Sequence, residues 1–262
     1  MLLTADIGNT SITLGLFDDD ALIEEYRLAA DKDLSLEEYE VLLKSLFRNY
    51  NVDGCIISSV VEELTKKFKT SVDNVFKIDS MILSTDINTG IKIALDNPKE
   101  AGADRIANAV GAYVLYKHPV IVVDLGTATT FDVVDSNGDF IGGIITLGVT
   151  SQLKALNKFT SKLPRIEVSL SNNAIGHNTN DAILSGVLRG TASMIDGLIE
   201  QCEKELGAKV IVVATGGYSG LISNYLKRPF DFINPTLTLE GLRYLYQINK
   251  LDVVGELQKV SH

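Results

Sequence analysis

Residues 2–6 form an apolar run that ends in the carboxylate of Asp6, and Gly8-Asn9-Thr10 follows as turn chemistry. Beyond it Ile12, Leu14 and Leu16 alternate with Thr13, Gly15 and Phe17. This period of two predicts a strand, a turn and a returning strand, and residues 23–28 read as a third. The period then lengthens. Residues 36–50 predict a helix with Ser35 at its N-cap, 52–58 a strand and 62–75 a second helix. Asn97-Pro98 is expected to open a helix reaching about residue 117, where His118-Pro119 breaks it in a surface turn. The β-branched run 120–124 predicts a buried strand, with a turn at Gly126-Thr127. Strands are expected over 130–134 and 140–145 on either side of Ser136-Asn137-Gly138-Asp139. A long helix is expected over 178–206, a strand over 210–214 running into Gly216-Gly217, and a final helix over 238–248.

One stretch occurs twice. Ala5-Asp6-Ile7-Gly8-Asn9-Thr10 matches Val123-Asp124-Leu125-Gly126-Thr127-Ala128. Each copy is a strand ending in Asp, a glycine turn and a returning strand that reaches an Asp-rich second turn. A repeat of this length is too long for a solenoid and predicts two copies of one α/β domain. The expected boundary gives residues 1–117 to the first half and 118–262 to the second, with an acidic residue from each half facing the cleft.

Composition narrows the partners. The 262 residues are 45% hydrophobic and 22% charged, ordinary for a globular chain able to bury a core. Thirty-four acidic against 24 basic residues give a net charge of −10, and no Lys/Arg cluster stands out, which argues against a nucleic-acid partner. A nucleotide bound by so acidic a chain should be held by backbone N–H groups and metal ions. Cys55 and Cys202 lack a Cys or His at metal-ligand spacing and read as free thiols in a reducing cytoplasm. No h-region precedes Asp6, and no apolar run approaches the ~18 residues of a membrane span.

A strand-terminal Asp followed by a Gly turn suits phosphate chemistry. Glycine lets a phosphate approach the backbone, N–H groups and Asn or Thr side chains donate to its oxygens, and the Asp holds a cation directly or through water. Ordinary hairpins use the same residues, so the weight lies in the duplication. Gly216-Gly217, the third such turn, stands where a flat ring could lie against the main chain. Asp18-Asp19-Asp20 reads as a solvated turn, since three consecutive carboxylates cannot all face one ion. His177 reads as a helix-entry residue, and His262 is terminal.

This order of elements resembles the superfamily of acetate and sugar kinases, heat-shock ATPases and actin. Asn97-Pro98-Lys99-Glu100-Ala101-Gly102-Ala103-Asp104-Arg105, the run 124–132 and Ile175-Gly176-His177-Asn178-Thr179 are together similar to the signatures of type III pantothenate kinases. The likeness runs from Asp6 to the last helix. Leu95 stands where an aromatic residue is usual in that family, and Leu147 where a proline is.

The resemblance implies two ribonuclease-H-like, actin-like ATPase halves and ATP-dependent phosphorylation of pantothenate, the first step toward coenzyme A. It implies that Asp6, Gly8, Asn9, Thr10, Ser11 and Thr13 form the first ATP loop, and that Thr127, Gly216 and Gly217 also contact ATP. It gives the pantothenate site to Gly102, Ala103, Asp104, Arg105 and Thr179, with Asp104 as the base. It gives a monovalent cation, potassium or ammonium, to Asp124, and magnesium, directly or through water, to Asp6. It implies a cytoplasmic homodimer with the helix after Thr179, which carries Gly186 and Gly190, at its centre. A non-catalytic regulator of the same fold, an actin-like filament protein and a kinase for another acceptor are the alternatives.

Overall fold

The computed structural model describes residues 1–117, 119–160 and 163–260, the stretch 252–260 as backbone; His118 and His262 lie outside the described residues. The chain divides into two compact units, each built on a five-stranded sheet.

The first unit begins with β1 (Leu2–Ile7), β2 (Ser11–Asp18) and β3 (Ala21–Ala29), an antiparallel meander. Helix α1 (Leu36–Leu46) follows, then β4 (Gly54–Ser59) parallel to β1, α2 (Glu62–Phe76) and the short β5 (Met81–Ile82). The sheet order is β3-β2-β1-β4-β5. β1 and β4 are mostly buried, with polar residues Asp6, Ser58 and Ser59 at the carboxyl ends, whereas edge strand β3 alternates exposed and half-buried positions. Ser35 caps α1 through a capping box, its Oγ accepting from Glu38 N and its own N–H donating to Glu38 Oε2. Tyr39, Leu43, Leu64 and Phe68 from α1 and α2 pack with Leu3, Ala5 and Ile57 into one buried cluster.

The helix expected at Asn97-Pro98 starts later. Residues Pro98–Glu100 form a 3₁₀ turn, Ala101 and Gly102 leave the helical path, and α3 runs over Ala103–Leu115.

The second unit spans Leu115–Pro235. It contains β6 (Val120–Leu125), β7 (Ala128–Val134), β8 (Phe140–Leu147), α4 (Val149–Phe159), α5 (Thr179–Leu206), β9 (Ile211–Thr215), α6 (Ser219–Ser223) and β10 (Phe232–Ile233). Its order, β8-β7-β6-β9-β10, repeats that of the first sheet strand for strand. The duplication reaches the details. Asp6 pairs with Thr13 and Ser58, and Asp124 with Thr130 and Thr215. An irregularity interrupts β2–β3 after Leu16 and β7–β8 after Val133, the same distance beyond those paired threonines.

Among the described helices, α5 has the length and composition of a membrane span, which the sequence reading did not expect. Val187, Leu188, Ala192, Ile195 and Ile199 on it belong to the buried core of the second unit, and Arg189 and Asp196 interrupt its apolar character.

The last helix, α7 (Leu237–Val260), was expected within the second half but packs in the first unit, which thus comprises Met1–Val114 and the chain from Thr236 onward. Leu242 and Leu245 join Ile56, Ile106 and Val110 in a buried cluster on the sheet face opposite α1 and α2. Its crossing with α3 is glycine-tight. A Cβ at Gly241 would fall 2.0 Å from Ala107 O, and one at Gly111 would fall 2.9 Å from Leu237 O. Thr238 Oγ1 donates to the buried Asn108 Oδ1 at 2.7 Å across the same contact. Arg243 pairs with Asp20, so the Asp18-Asp19-Asp20 turn, exposed as predicted, also anchors α7.

Candidate active site

In the first unit the candidate residues gather where β1 and β4 end. Carboxyl ends of parallel strands are where open α/β sheets bind ligands. Asp6 occupies the next-to-last position of β1, and Ser58 Oγ donates to its Oδ1 at 2.9 Å. Gly8 N–H donates to Ser11 O at 2.9 Å and closes the turn that carries Asn9 and Thr10. A Cβ on Gly8 would meet only Ser11 O, at 3.4 Å, so packing within the chain does not demand glycine there and the turn stays open to an approaching group. Ser11 Oγ accepts from Arg27 Nη2 at 3.1 Å, and Thr13 lies opposite Asp6 in the ladder.

The same end reaches Asp104. Val60 N–H donates to Ile7 O at 3.1 Å, and a Cβ on Gly102 would come within 3.7 Å of Val60 Cγ1. That Cβ would also fall 2.6 Å from Asp104 Oδ1, so glycine at 102 is what leaves room for the carboxylate at the opening of α3. Asp104 is half-buried, and burial raises its carboxyl above the usual range. The Arg105 N–H, donating to Oδ1 at 2.8 Å, and the Arg105 charge oppose that rise only in part. Ala103 is buried at the start of α3.

The second unit repeats this construction. Asp124 sits next to last in β6, and Gly126 N–H donates to Ala128 O at 3.0 Å, closing the turn around Thr127. A Cβ on Gly126 would make only ordinary contacts, the nearest 3.6 Å away. Gly216 differs: its φ is +82°, and a Cβ there would lie 2.5 Å from Asp124 Oδ1 and 2.7 Å from Leu125 N, so both conformation and space demand glycine. Gly217 and Tyr218 border a cavity of about 820 Å³ whose walls include Lys154, Lys158 and Leu221. Thr179 also belongs to the second unit. It is the first residue of α5, exposed, with His177 just ahead of the N-cap Asn178, and it lines a groove of about 800 Å³ with Leu147, Phe159, Ala182 and Gly186.

Among the described residues no three His, Cys, Asp or Glu side chains cluster as a metal cage. One carboxylate per turn, with a glycine turn open beside it, is the donor set of a site in which phosphates and water complete a magnesium ion's shell. The cysteines are free, and burial pushes the Cys55 thiol up to about 12, an inert group.

Ser58, which bonds Asp6, and Ser151, whose Oγ donates to Thr127 O at 2.6 Å, escaped the sequence reading. Ser58-Ser59 closing the apolar run 54–57 was the available signal for the first. Nothing in the sequence around Ser151 distinguishes it from a helix-surface serine.

The sequence matches the type III pantothenate kinase family over residues 2–201. It is 42% identical over 255 residues to the type III pantothenate kinase of Dehalococcoides mccartyi strain CBDB1, covering 95% of this chain and 97% of that one. To the type III pantothenate kinase of Exiguobacterium sibiricum it is 39% identical over 255 residues, covering 95% and 100%. Its fold is similar to that of a Sinorhizobium meliloti protein assigned as a 2-dehydro-3-deoxygalactonokinase, with a TM-score of 0.63 over 95% of this chain and 96% of that one. At 15% identity that likeness is one of fold.

Proposed function

The chain belongs to the type III pantothenate kinase family, and on that premise we propose a role for each residue of the two strand-end turns. Its activity is ATP-dependent phosphorylation of pantothenate, in coenzyme A biosynthesis, with ATP and a divalent metal ion as cofactors. Asp104 is the base. It takes the proton of the acceptor hydroxyl as that oxygen bonds to the γ-phosphorus and the bond to the β-phosphate's bridging oxygen breaks. The observation that carries this role is a carboxylate given its space by Gly102 and pushed by burial toward a higher proton affinity. Gly102, Ala103 and Arg105 hold pantothenate beside it, the guanidinium suiting the substrate's carboxylate.

The turns of Gly8, Asn9, Thr10 and Ser11 with Thr13, and of Thr127 with Gly216 and Gly217, bind ATP. Asp6 would hold magnesium, directly or through water, and Asp124 a potassium or ammonium ion; the magnesium would supply charge neutralisation of the phosphates. The enzyme works in the cytoplasm on small molecules, without a nucleic-acid or membrane partner, a reading supported by its net charge of −10.

The same reading makes it a homodimer through α5, with Thr179 near the partner subunit. A Cβ added at Gly186 or Gly190 would meet no atom within 4 Å, so packing inside the chain does not account for these helix-weakening glycines. Exposed Leu147 and Phe159 line the adjoining groove.

A coupled assay of ADP release against a panel of pantothenate-like acceptors tests the activity, and Asp104→Asn tests the base. The variant is expected to lose about 10²–10⁴-fold in kcat while its ATP affinity stays nearly unchanged. A folded variant that keeps more than about a tenth of the rate would remove Asp104 from the role.

A further inference from the structure

The turn around Thr127 is held from outside as well as by its own backbone bond. It is one residue shorter than its counterpart: Asp6 and Thr13 are paired across the first turn, Asp124 and Thr130 across the second. Thr127 alone separates the two residues whose backbone bond closes it. The Thr127 carbonyl accepts two hydrogen bonds from the beginning of α4, from Gly148 N at 3.1 Å and from Ser151 Oγ at 2.6 Å. A Cβ on Gly148 would lie 2.2 Å from Gly126 O and 2.7 Å from Thr127 O, so helix start and turn are in direct contact.

The first turn of α4 is itself anchored on two sides. Thr150 Oγ1 and Tyr218 Oη are 2.6 Å apart, and Tyr218 N–H donates to Leu125 O at 3.4 Å, next to the same turn. Gln152 Nε2 donates to Leu147 O and, at 3.1 Å, to Thr191 Oγ1 on α5. A serine in the first turn of a helix ordinarily turns its hydroxyl to nearby backbone of that helix. Ser151 instead reaches back 24 positions in sequence, to the candidate phosphate turn.

A peptide group is planar, so a carbonyl held by two donors fixes the plane that follows Thr127, and with Gly126 N–H bonded to Ala128 O across the same residue the Thr127 backbone is restrained on both sides. We propose that Ser151 is a positioning residue for nucleotide binding, acting through the Thr127 carbonyl to hold the Gly126-Thr127 turn in the orientation that receives ATP. The proposal rests on the reading of that turn as an ATP contact, and its test separates the two.

Steady-state constants for both substrates and thermal midpoints would be measured for Ser151→Ala, Ser151→Thr and Thr127→Ala, with calorimetric binding of a non-hydrolysable ATP analogue as a second readout. Loss of one positioning hydrogen bond is expected to raise the ATP KM of Ser151→Ala about two- to ten-fold. The KM for pantothenate should not move, the midpoint should fall by no more than the few degrees that one lost hydrogen bond costs, and Ser151→Thr, which keeps the hydroxyl, should restore ATP affinity. A raised ATP KM in Thr127→Ala with none in Ser151→Ala overturns the clamp and leaves the turn's role standing. Unchanged ATP binding in Thr127→Ala overturns the role of the turn and the clamp with it. A Ser151→Ala defect that raises both KM values alike and lowers the midpoint by more than that marks a structural serine and overturns the proposal.

Discussion

At Gly102 one missing methyl group makes room for the carboxylate proposed as the base. The space at Gly102 admits the Asp104 carboxylate, and the burial that results raises its proton affinity above that of an ordinary aspartate. The sign follows directly. The base works deprotonated, so kcat/KM should fall on the acid side at a pH above the usual carboxylate range, and Asp104→Asn should abolish that limb. A limb at the ordinary aspartate value would mean that the burial does not persist in the working enzyme. A chain of net charge −10 offers few side-chain cations to a triphosphate, so activity should rise with potassium or ammonium at fixed magnesium and ionic strength. Equal rates in a sodium-only buffer would count against a monovalent site at Asp124. Asp104 and Asp124 were legible because each lies inside a short contiguous motif. Ser58 and Ser151 were not, because each meets its partner 52 or 24 positions away, and only folding brings such pairs together.

Elements with local signals were read closely. The capping box of α1 and the Asn178 cap of α5, whose Oδ1 accepts from Asp181 N, are written in three or four adjacent residues. Helix α4 was missed. Its N-cap is Gly148, with no side-chain bond to announce it. The start of α3 was set five residues too early because Pro98 suits a helix's first turn, and here it opens only a 3₁₀ turn. The join between α5 and β9 carries a prediction. Burial alone would raise the Glu203 carboxyl, yet bonds from Lys209, Arg228 and the Val210 N–H outweigh it and hold the group at about 2. A depressed native value contributes stability above the unfolded glutamate range, and that contribution is lost as pH falls toward 2. Glu203→Gln should cost roughly 1–3 kcal/mol at neutral pH and much less at acid pH. Urea midpoints of the two proteins that keep the same gap at pH 7 and pH 3 would contradict this.

At the scale of the whole molecule, the duplication was visible in six residues and proved to extend through strand order, ladder register and even the position of a strand irregularity. The destination of α7 was not visible, since periodicity marks a segment as helical without naming the sheet it will cover. The open faces of Gly186 and Gly190 belong to this scale too. Light scattering at micromolar concentration should give twice the 28.5 kDa chain mass. Gly186→Leu should weaken the dimer and pantothenate binding together. A monomer mass for the unmodified protein would dispose of the interface.

The packing of α7 also orders events during synthesis. The second unit is one continuous stretch, complete once Pro235 has left the ribosome, whereas the first stops at Val114 and resumes only at Thr236. At ~5–20 residues per second, making the intervening stretch takes on the order of 10 s. Throughout that time the sheet bearing Asp6 and the helix bearing Asp104 lack the cover that Leu242 and Leu245 later provide. The half of the enzyme translated first is therefore the half finished last. A nonsense codon between Pro235 and Leu242 would leave the later-made unit whole and strip the earlier one of its closing helix.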